Sequence, residues 1–141
     1  EVIAIASDHG GFELKEILKA KLEQLGFGIV DLGCYDTSSV NYPDYADKMA
    51  AALRGDDVSR GVLVCGSGIG ISIAANRHHH IRAALVHDGL TAKLCREHND
   101  ANVLVLGGRT TGVDVALDCM KIFLNTEFAG GRHQTRIDLM S

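Results

Sequence analysis

The chain carries no excess of positive charge: 14 Lys and Arg stand against 18 Asp and Glu, a net charge of −4. A general nucleic-acid binder is normally basic, so no nucleic-acid partner is expected, and any anion site has to be a local cluster. No apolar run approaches the roughly 20 residues that cross a bilayer, which excludes a transmembrane helix and a membrane partner of that kind. The four cysteines, at 34, 65, 95 and 119, form no C-x-x-C pair, so the usual dithiol motif is missing. Cys65 and Cys119 fall in apolar stretches, where thiols behave as small hydrophobes. The opening residues read as a strand rather than a leader peptide, and the cysteine gaps are wide. The expectation is a cytoplasmic protein with reduced thiols. No repeat of fixed period and no low-complexity segment is found.

What is there is an ordinary globular composition, 46% hydrophobic and 23% charged, which excludes disorder. At 141 residues the length suits one domain, spanning 1–141, that can bury roughly two thirds of its unfolded surface. One proline against sixteen glycines suits a chain that alternates strands and helices through tight turns. Apolar β-branched runs predict strands at 2–6, 28–32, 61–65, 82–86 and 102–106. Leu14, Ile17, Leu18, Leu22 and Leu25 have helical spacing, with Gly26 as the stop. Further helices are predicted at 43–53 behind Pro43, from 68 to 77, from Asp88 to 98, and at 111–124 with Thr111 as cap. Residues 125–141 read as a polar C-terminal arm that can close in a last turn of helix. Strict β-α alternation implies a parallel sheet with helices on both faces. Right-handed crossovers put every strand-to-helix loop on the carboxyl edge, where open α/β sheets bind ligands.

Three loops stand out there: Asp8-His9-Gly10-Gly11, Gly66 to Gly70, and Gly107-Gly108-Arg109. Cys65 ends a strand just before a helix start, a place that favours thiolates, and the alternate glycines 66, 68 and 70 let a ligand oxygen approach backbone N–H groups. A base beside an oxyanion hole fits this pattern; a core thiol beside turn glycines fits it too. The spacing is not the G-x-G-x-x-G dinucleotide fingerprint. Asp8 and His9 suit a ligand or an Asx turn. The polar run Arg96 to Asp100 lies at the far end of a helix, on the wrong edge of the sheet for a site within one chain. It is a solvated helix end or part of another subunit's site. Arg132 and Arg136 share one helical face; with His133 and Arg109 they can meet phosphate oxygens, or form a solvated basic tail. His78-His79-His80 reads as a solvated turn, so no metal is expected.

Taken in order, SDHGGFELK at 7–15, NYPDYA at 41–46, VCGSGIGISIAAN at 64–76, REHNDANVLVLGGR at 96–109 and GGRHQTRI at 130–137 resemble the ribose-5-phosphate isomerase B and galactose-6-phosphate isomerase family, nearest the ribose side. The ordered set covers the whole chain. The resemblance implies an α/β three-layer sandwich with a five-stranded parallel Rossmann-like sheet. It also implies a homodimer with shared active sites, which can pair into a tetramer. The implied reaction interconverts ribose 5-phosphate and ribulose 5-phosphate without metal or organic cofactor. Cys65 matches the base that moves a proton between C1 and C2. Ser67 with Gly66, Gly68 and Gly70 matches the loop that holds the enediolate oxygen, and His98 matches the residue linked to ring opening. Asp8, Tyr42 and Asn99 match positions that handle hydroxyls. His9, Arg109, Arg132, His133 and Arg136 match positions around the phosphate. A branch of the family that lacks the cysteine has a glutamate six positions later; Ile71 stands there, which puts this chain in the cysteine branch. The triple histidine departs from the family's short mixed turn.

The chemistry agrees with the resemblance. A C–H beside a carbonyl is weakly acidic, so its base must be close and the oxyanion stabilised at once. A six-carbon sugar phosphate such as allose 6-phosphate is the alternative substrate. Two other classes compete: a phosphate- or nucleotide-binding module without chemistry, which has no use for Cys65, and a thiol redox protein, which would need a partner cysteine.

Overall fold

A computed structural model describes residues 1–140. Five strands, β1 (Val2–Ser7), β2 (Gly28–Asp31), β3 (Arg60–Cys65), β4 (Ala83–Leu85) and β5 (Val103–Gly107), form one sheet in the order β2-β1-β3-β5-β4. Every pairing is parallel. Five helices alternate with them, α1 (Phe12–Gln24), α2 (Tyr42–Arg54), α3 (Ile69–Ala75), α4 (Gly89–Glu97) and α5 (Val113–Asn125), and α6 (Arg132–Met140) follows α5 directly. This is the α/β sandwich expected from the alternation.

The central strands β1, β3 and β5 are buried along nearly their whole length, because helices cover both faces. Strand order and handedness decide which face each helix takes. The chain steps one way from β1 to β2 and from β4 to β5, and the other way from β2 to β3 and from β3 to β4. Right-handed crossovers then put α1 and α4 on one face and α2 and α3 on the other. The two apolar clusters agree. Leu14, Leu18 and Leu22 of α1 pack with Ala92 of α4 and Met120 and Phe123 of α5. Ala46 and Met49 of α2 pack with Ile71 and Ala75 of α3.

The sheet departs from expectation at its margins. β4 is three residues long rather than five, since only β5 pairs with it. Ile17 of α1 and Leu25, its C-cap, face solvent, so the buried stripe is narrower than the apolar spacing, and Lys15 is fully buried beside it. Thr111 does not cap α5: Gly112 holds that position without a side-chain bond, and the Thr111 hydroxyl is buried without a hydrogen-bond partner. The end of the arm is a nine-residue helix rather than one turn, anchored by the buried Ile137. Asp88 caps α4 as expected, accepting from the Thr91 N–H at 2.7 Å. No helix of the described residues is long and apolar enough to cross a membrane.

Candidate active site

β3 lies between β1 and β5, whose following helices lie on the opposite face from α3. The chain therefore diverges to both sides at the carboxyl end of β3 and leaves a crevice there. Cys65 is the last residue of β3. Burial alone does not single it out, since Cys65 is 5% exposed and Cys95 6%. The partners of the sulfur do. Cys95 Sγ donates to the Ala92 carbonyl in its own helix, and burial pushes its thiol up to about 11. Cys65 Sγ instead accepts the Gly68 N–H at 3.1 Å.

Gly68 can aim that N–H because it is the N-cap of α3 at φ +79°, a left-handed conformation costly for residues with a Cβ. Space excludes a side chain as well: a Cβ would stand 2.5 Å from Leu85 Cδ1 and 3.1 Å from the Leu106 carbonyl. Gly70 is needed for a different reason, since its Cβ would enter the Tyr42 ring at 2.6 Å. The Ser67 hydroxyl accepts the Ile69 N–H at 3.2 Å.

Around the sulfur lies a pocket of about 380 Å³ lined by Asp8, Tyr42, Cys65, Ser67, Arg109 and Thr110, with Gly66 and Gly70. That volume falls in the range of small-molecule sites. Asp8 is buried and its carboxylate accepts the Gly11 N–H at 3.1 Å, so the Asx-type turn and the place at the pocket coexist. His9 Nδ1 accepts the Val40 N–H at 3.1 Å, which puts the proton of a neutral ring on Nε2 as a free donor. The guanidinium of Arg109 lies over Gly66; the Arg109 N–H donates to the Gly66 carbonyl at 2.8 Å and the Gly108 N–H to the Cys65 carbonyl at 2.8 Å. Sequence reasoning missed Thr110. Its signal was position alone, one residue beyond Arg109; its hydroxyl takes the space a Cβ on Gly107 would need.

The other predicted residues gather at the opposite edge. His98 is the C-cap of α4, and α4 runs back along the sheet. β3 has six residues, so at about 3.3 Å per residue the two edges are roughly 15–20 Å apart. The rings of His98 and His133 stack there at 4.3 Å between centroids, 16° from parallel. Partial desolvation, then His98, Arg132 and Arg136, hold His133 below its ordinary value. The arm reaches this edge through the Ala129 N–H, which donates to the Glu97 carbonyl at 3.1 Å. Arg132 and Arg136 stand exposed, one turn apart on α6. Asn99 lines a separate hollow of about 530 Å³ beside Arg82 and Ile137. The structure thus brings Asp8, Tyr42, Cys65, Ser67 and Arg109 together around one pocket, sets His9 on the adjoining loop against Val40, and keeps His98, Asn99, Arg132, His133 and Arg136 apart from them. The triple histidine is a turn, as expected, with His79 exposed, but two of its rings are tethered rather than solvated: His78 Nε2 lies 2.9 Å from Asp47 Oδ1, and His80 Nε2 lies 2.7 Å from the Ala50 carbonyl.

Residues 3–140 match the family profile described as Ribose/Galactose Isomerase. The chain belongs to the ribose/galactose isomerase family. Among similar proteins, ribose-5-phosphate isomerase B of Escherichia coli strain K12 is 40% identical over 139 residues, covering 99% of this chain and 93% of the relative. Ribose-5-phosphate isomerase B of Clostridium thermocellum superposes with a TM-score of 0.98 at 45% identity, covering 99% of this chain and 95% of that one. The Mycoplasma genitalium enzyme, solved with bound ribulose 5-phosphate, gives a TM-score of 0.93 at 41% identity over 99% and 93% of the two chains.

For a member of the ribose/galactose isomerase family the carboxyl-edge pocket supplies a coherent set of groups. A sulfur at the floor can take a proton from carbon. N–H groups at the start of α3 and the Ser67 hydroxyl can meet an oxyanion. Asp8 can orient hydroxyls, and Arg109 offers a cation at the rim.

Proposed function

We propose that the chain, as one isomerase domain over residues 1–141, interconverts ribose 5-phosphate and ribulose 5-phosphate through an enediolate, with Cys65 as the base. The observation that carries this reading is the Gly68 N–H aimed at Cys65 Sγ in a pocket that also holds Asp8 and Arg109. A binding module has no use for a sulfur held so. Cys65 removes the proton from the hydroxyl-bearing carbon beside the carbonyl and returns it to the former carbonyl carbon; the hydroxyl proton passes between the two oxygens, and the Gly66–Gly70 loop with Ser67 holds the oxygen that carries charge meanwhile. The bond electrons move within the substrate, so no external oxidant or cofactor is required.

One chain supplies half of such a site. The phosphate dianion needs several cations, and Arg132, His133 and Arg136 lie at the other edge, together with His98 for ring opening. A second copy related by a two-fold axis brings its own amino edge to the first copy's carboxyl edge, completing two identical sites. Ile69 and Ile73 of α3, each 54% exposed beside the Cys65 pocket, supply an apolar surface for that contact. Pairs of dimers forming tetramers, and a cytoplasmic place of work, belong to the same reading.

The test is turnover of ribose 5-phosphate and allose 6-phosphate side by side, in the wild type and in Cys65→Ala. The expected result is higher kcat/KM on ribose 5-phosphate. Loss in the variant should be at least the ~10²–10⁴-fold typical of a general base. Near-normal turnover by the variant would remove Cys65 from proton transfer, and preference for allose 6-phosphate would transfer the reading to six-carbon sugars.

A further inference from the structure

Lys15 is fully buried, yet the reaction outlined above makes no use of it. Its ammonium donates to both oxygens of Asp31, at 2.8 and 2.9 Å. It sits 5.4 Å from the Phe12 ring centroid and 5.5 Å from that of Tyr35. A buried ion pair is a poor source of stability, since an apolar pair of similar shape does as well or better. What it provides is geometry. Asp31 also accepts the Gly33 N–H at 2.9 Å, and its own carbonyl accepts the Tyr35 hydroxyl at 3.2 Å. One buried charge therefore gathers the start of the segment between β2 and α2.

That segment braces the substrate loop. The Ser7 N–H donates to the Gly33 carbonyl at 2.7 Å, and the Cys34 N–H returns to the Ser7 carbonyl at 2.9 Å. Asp8 and His9 follow directly, and the Val40 N–H at the segment's far end donates to the His9 ring. We infer that the Lys15–Asp31 pair is a positioning device, which holds residues 33–41 against the Asp8–His9 loop and so sets where Asp8 and His9 meet the sugar phosphate. The inference rests on the isomerase reading for its effect on turnover, but its structural half does not. Lys15 touches no reacting atom and acts through Asp31, Gly33 and Ser7. Asp8 is tied to β3 as well, its N–H donating to the Val64 carbonyl at 3.2 Å, whereas Cys65 Sγ takes its bond from Gly68 and is positioned by β3 and α3.

The test is Lys15→Met, which keeps length and removes the charge, with Lys19→Met as control, since Lys19 reaches Asp31 only from the surface, at 3.0 Å. In Lys15→Met, kcat per folded site should fall about 10- to 100-fold, as for a misplacement of about 1 Å, with KM within about threefold. Amide exchange should speed up at Ser7, Gly33, Cys34 and Val40 and stay unchanged in β3 and β5. Alkylation of Cys65 by iodoacetamide should keep its wild-type rate, and Lys19→Met should match wild type throughout. Unchanged kcat per folded site, or exchange that speeds up across the whole sheet, would overturn the inference. If Lys15→Met fails to fold, the double variant Lys15→Met with Asp31→Asn, which leaves neither charge buried alone, carries the same test with the same local exchange signature. A wild type inactive on ribose 5-phosphate would sink the isomerase reading while leaving the exchange test of the positioning role intact.

Discussion

Substituting Gly68→Ala perturbs the hinge on which the Cys65 environment turns, and the structure sets the size of the effect. At φ +79° an alanine incurs about 1–2 kcal/mol for the left-handed backbone. Its methyl also meets Leu85 Cδ1 at 2.5 Å and the Leu106 carbonyl at 3.1 Å. The leucine methyl can swing aside; the β5 backbone cannot, and overpacking of this kind costs about 1–3 kcal/mol. The sum, about 2–5 kcal/mol, is a large part of the 5–15 kcal/mol typical of a domain. Any relief moves the Gly68 N–H off the 3.1 Å contact with Cys65 Sγ, and losing a charge-assisted hydrogen bond to the base costs about 1.5–3 kcal/mol, roughly 10- to 150-fold in kcat. Urea unfolding should show a lower midpoint at unchanged slope, and turnover of ribose 5-phosphate in the folded variant should fall by that factor. A stability change under about 0.5 kcal/mol, the range of a neutral surface substitution, together with normal kcat, would refute the argument.

Further outcomes follow from the same geometry. Iodoacetamide should alkylate Cys65 ahead of Cys95 and Cys119, both pushed up to about 11, chiefly by burial, and a phosphorylated sugar should protect it; mass spectrometry locating the label at Cys95 or Cys119 first would contradict this. Arg132→Ala and Arg136→Ala should each weaken phosphorylated sugar by about 1.5–3 kcal/mol, with a much smaller effect on the unphosphorylated sugar; equal losses on both would take these arginines off the phosphate. Burial pushes Asp31 upward, but hydrogen bonds from Lys15, the Gly33 N–H and Lys19 outweigh it and hold the carboxyl below its ordinary 3.8. A lowered carboxyl stabilises the fold above its unfolded value, and that contribution is lost as pH falls through the folded value. Asp31→Asn should therefore flatten the acid limb of stability below pH 3.8, and a wild-type limb in that variant would refute the assignment. His133, held low, should titrate at higher pH once ribose 5-phosphate binds beside it, as followed by NMR of its ring protons; no movement would place the phosphate elsewhere.

The central strands were legible because β1, β3 and β5 are buried on both faces and so read as unbroken apolar runs. The carboxyl-edge loops were legible because glycine is needed where backbone crowds backbone, as at Gly68. Strand order was not: hydrophobic runs do not say that β5 slips between β3 and β4. Lys15 escaped notice because a lysine at a buried helical position reads as solvent-facing unless its partner is known, and Asp31 lies sixteen residues on. Thr111 read as a cap because the residue type suits one, but the turn after β5 hands that role to Gly112. For the site, Cys65 and its glycines could be found from position, whereas the basic cluster of the arm was assigned to phosphate by resemblance. Its distance from Cys65 follows from parallel topology, in which a helix returns its end to the edge where its strand began.

That separation makes subunit complementation the most direct test of the central claim, a site built from the carboxyl edge of one chain and the amino edge of another. Cys65→Ala and His98→Asn homodimers should each be nearly inactive. After dissociation and mixing in equal amounts, one site of each heterodimer carries both defects and the other carries neither. Statistical pairing gives about half heterodimers with one intact site of two, so activity should recover to roughly a quarter of wild type. No recovery, with subunit exchange verified by native mass spectrometry, would place both residues in one chain's site and contradict the account.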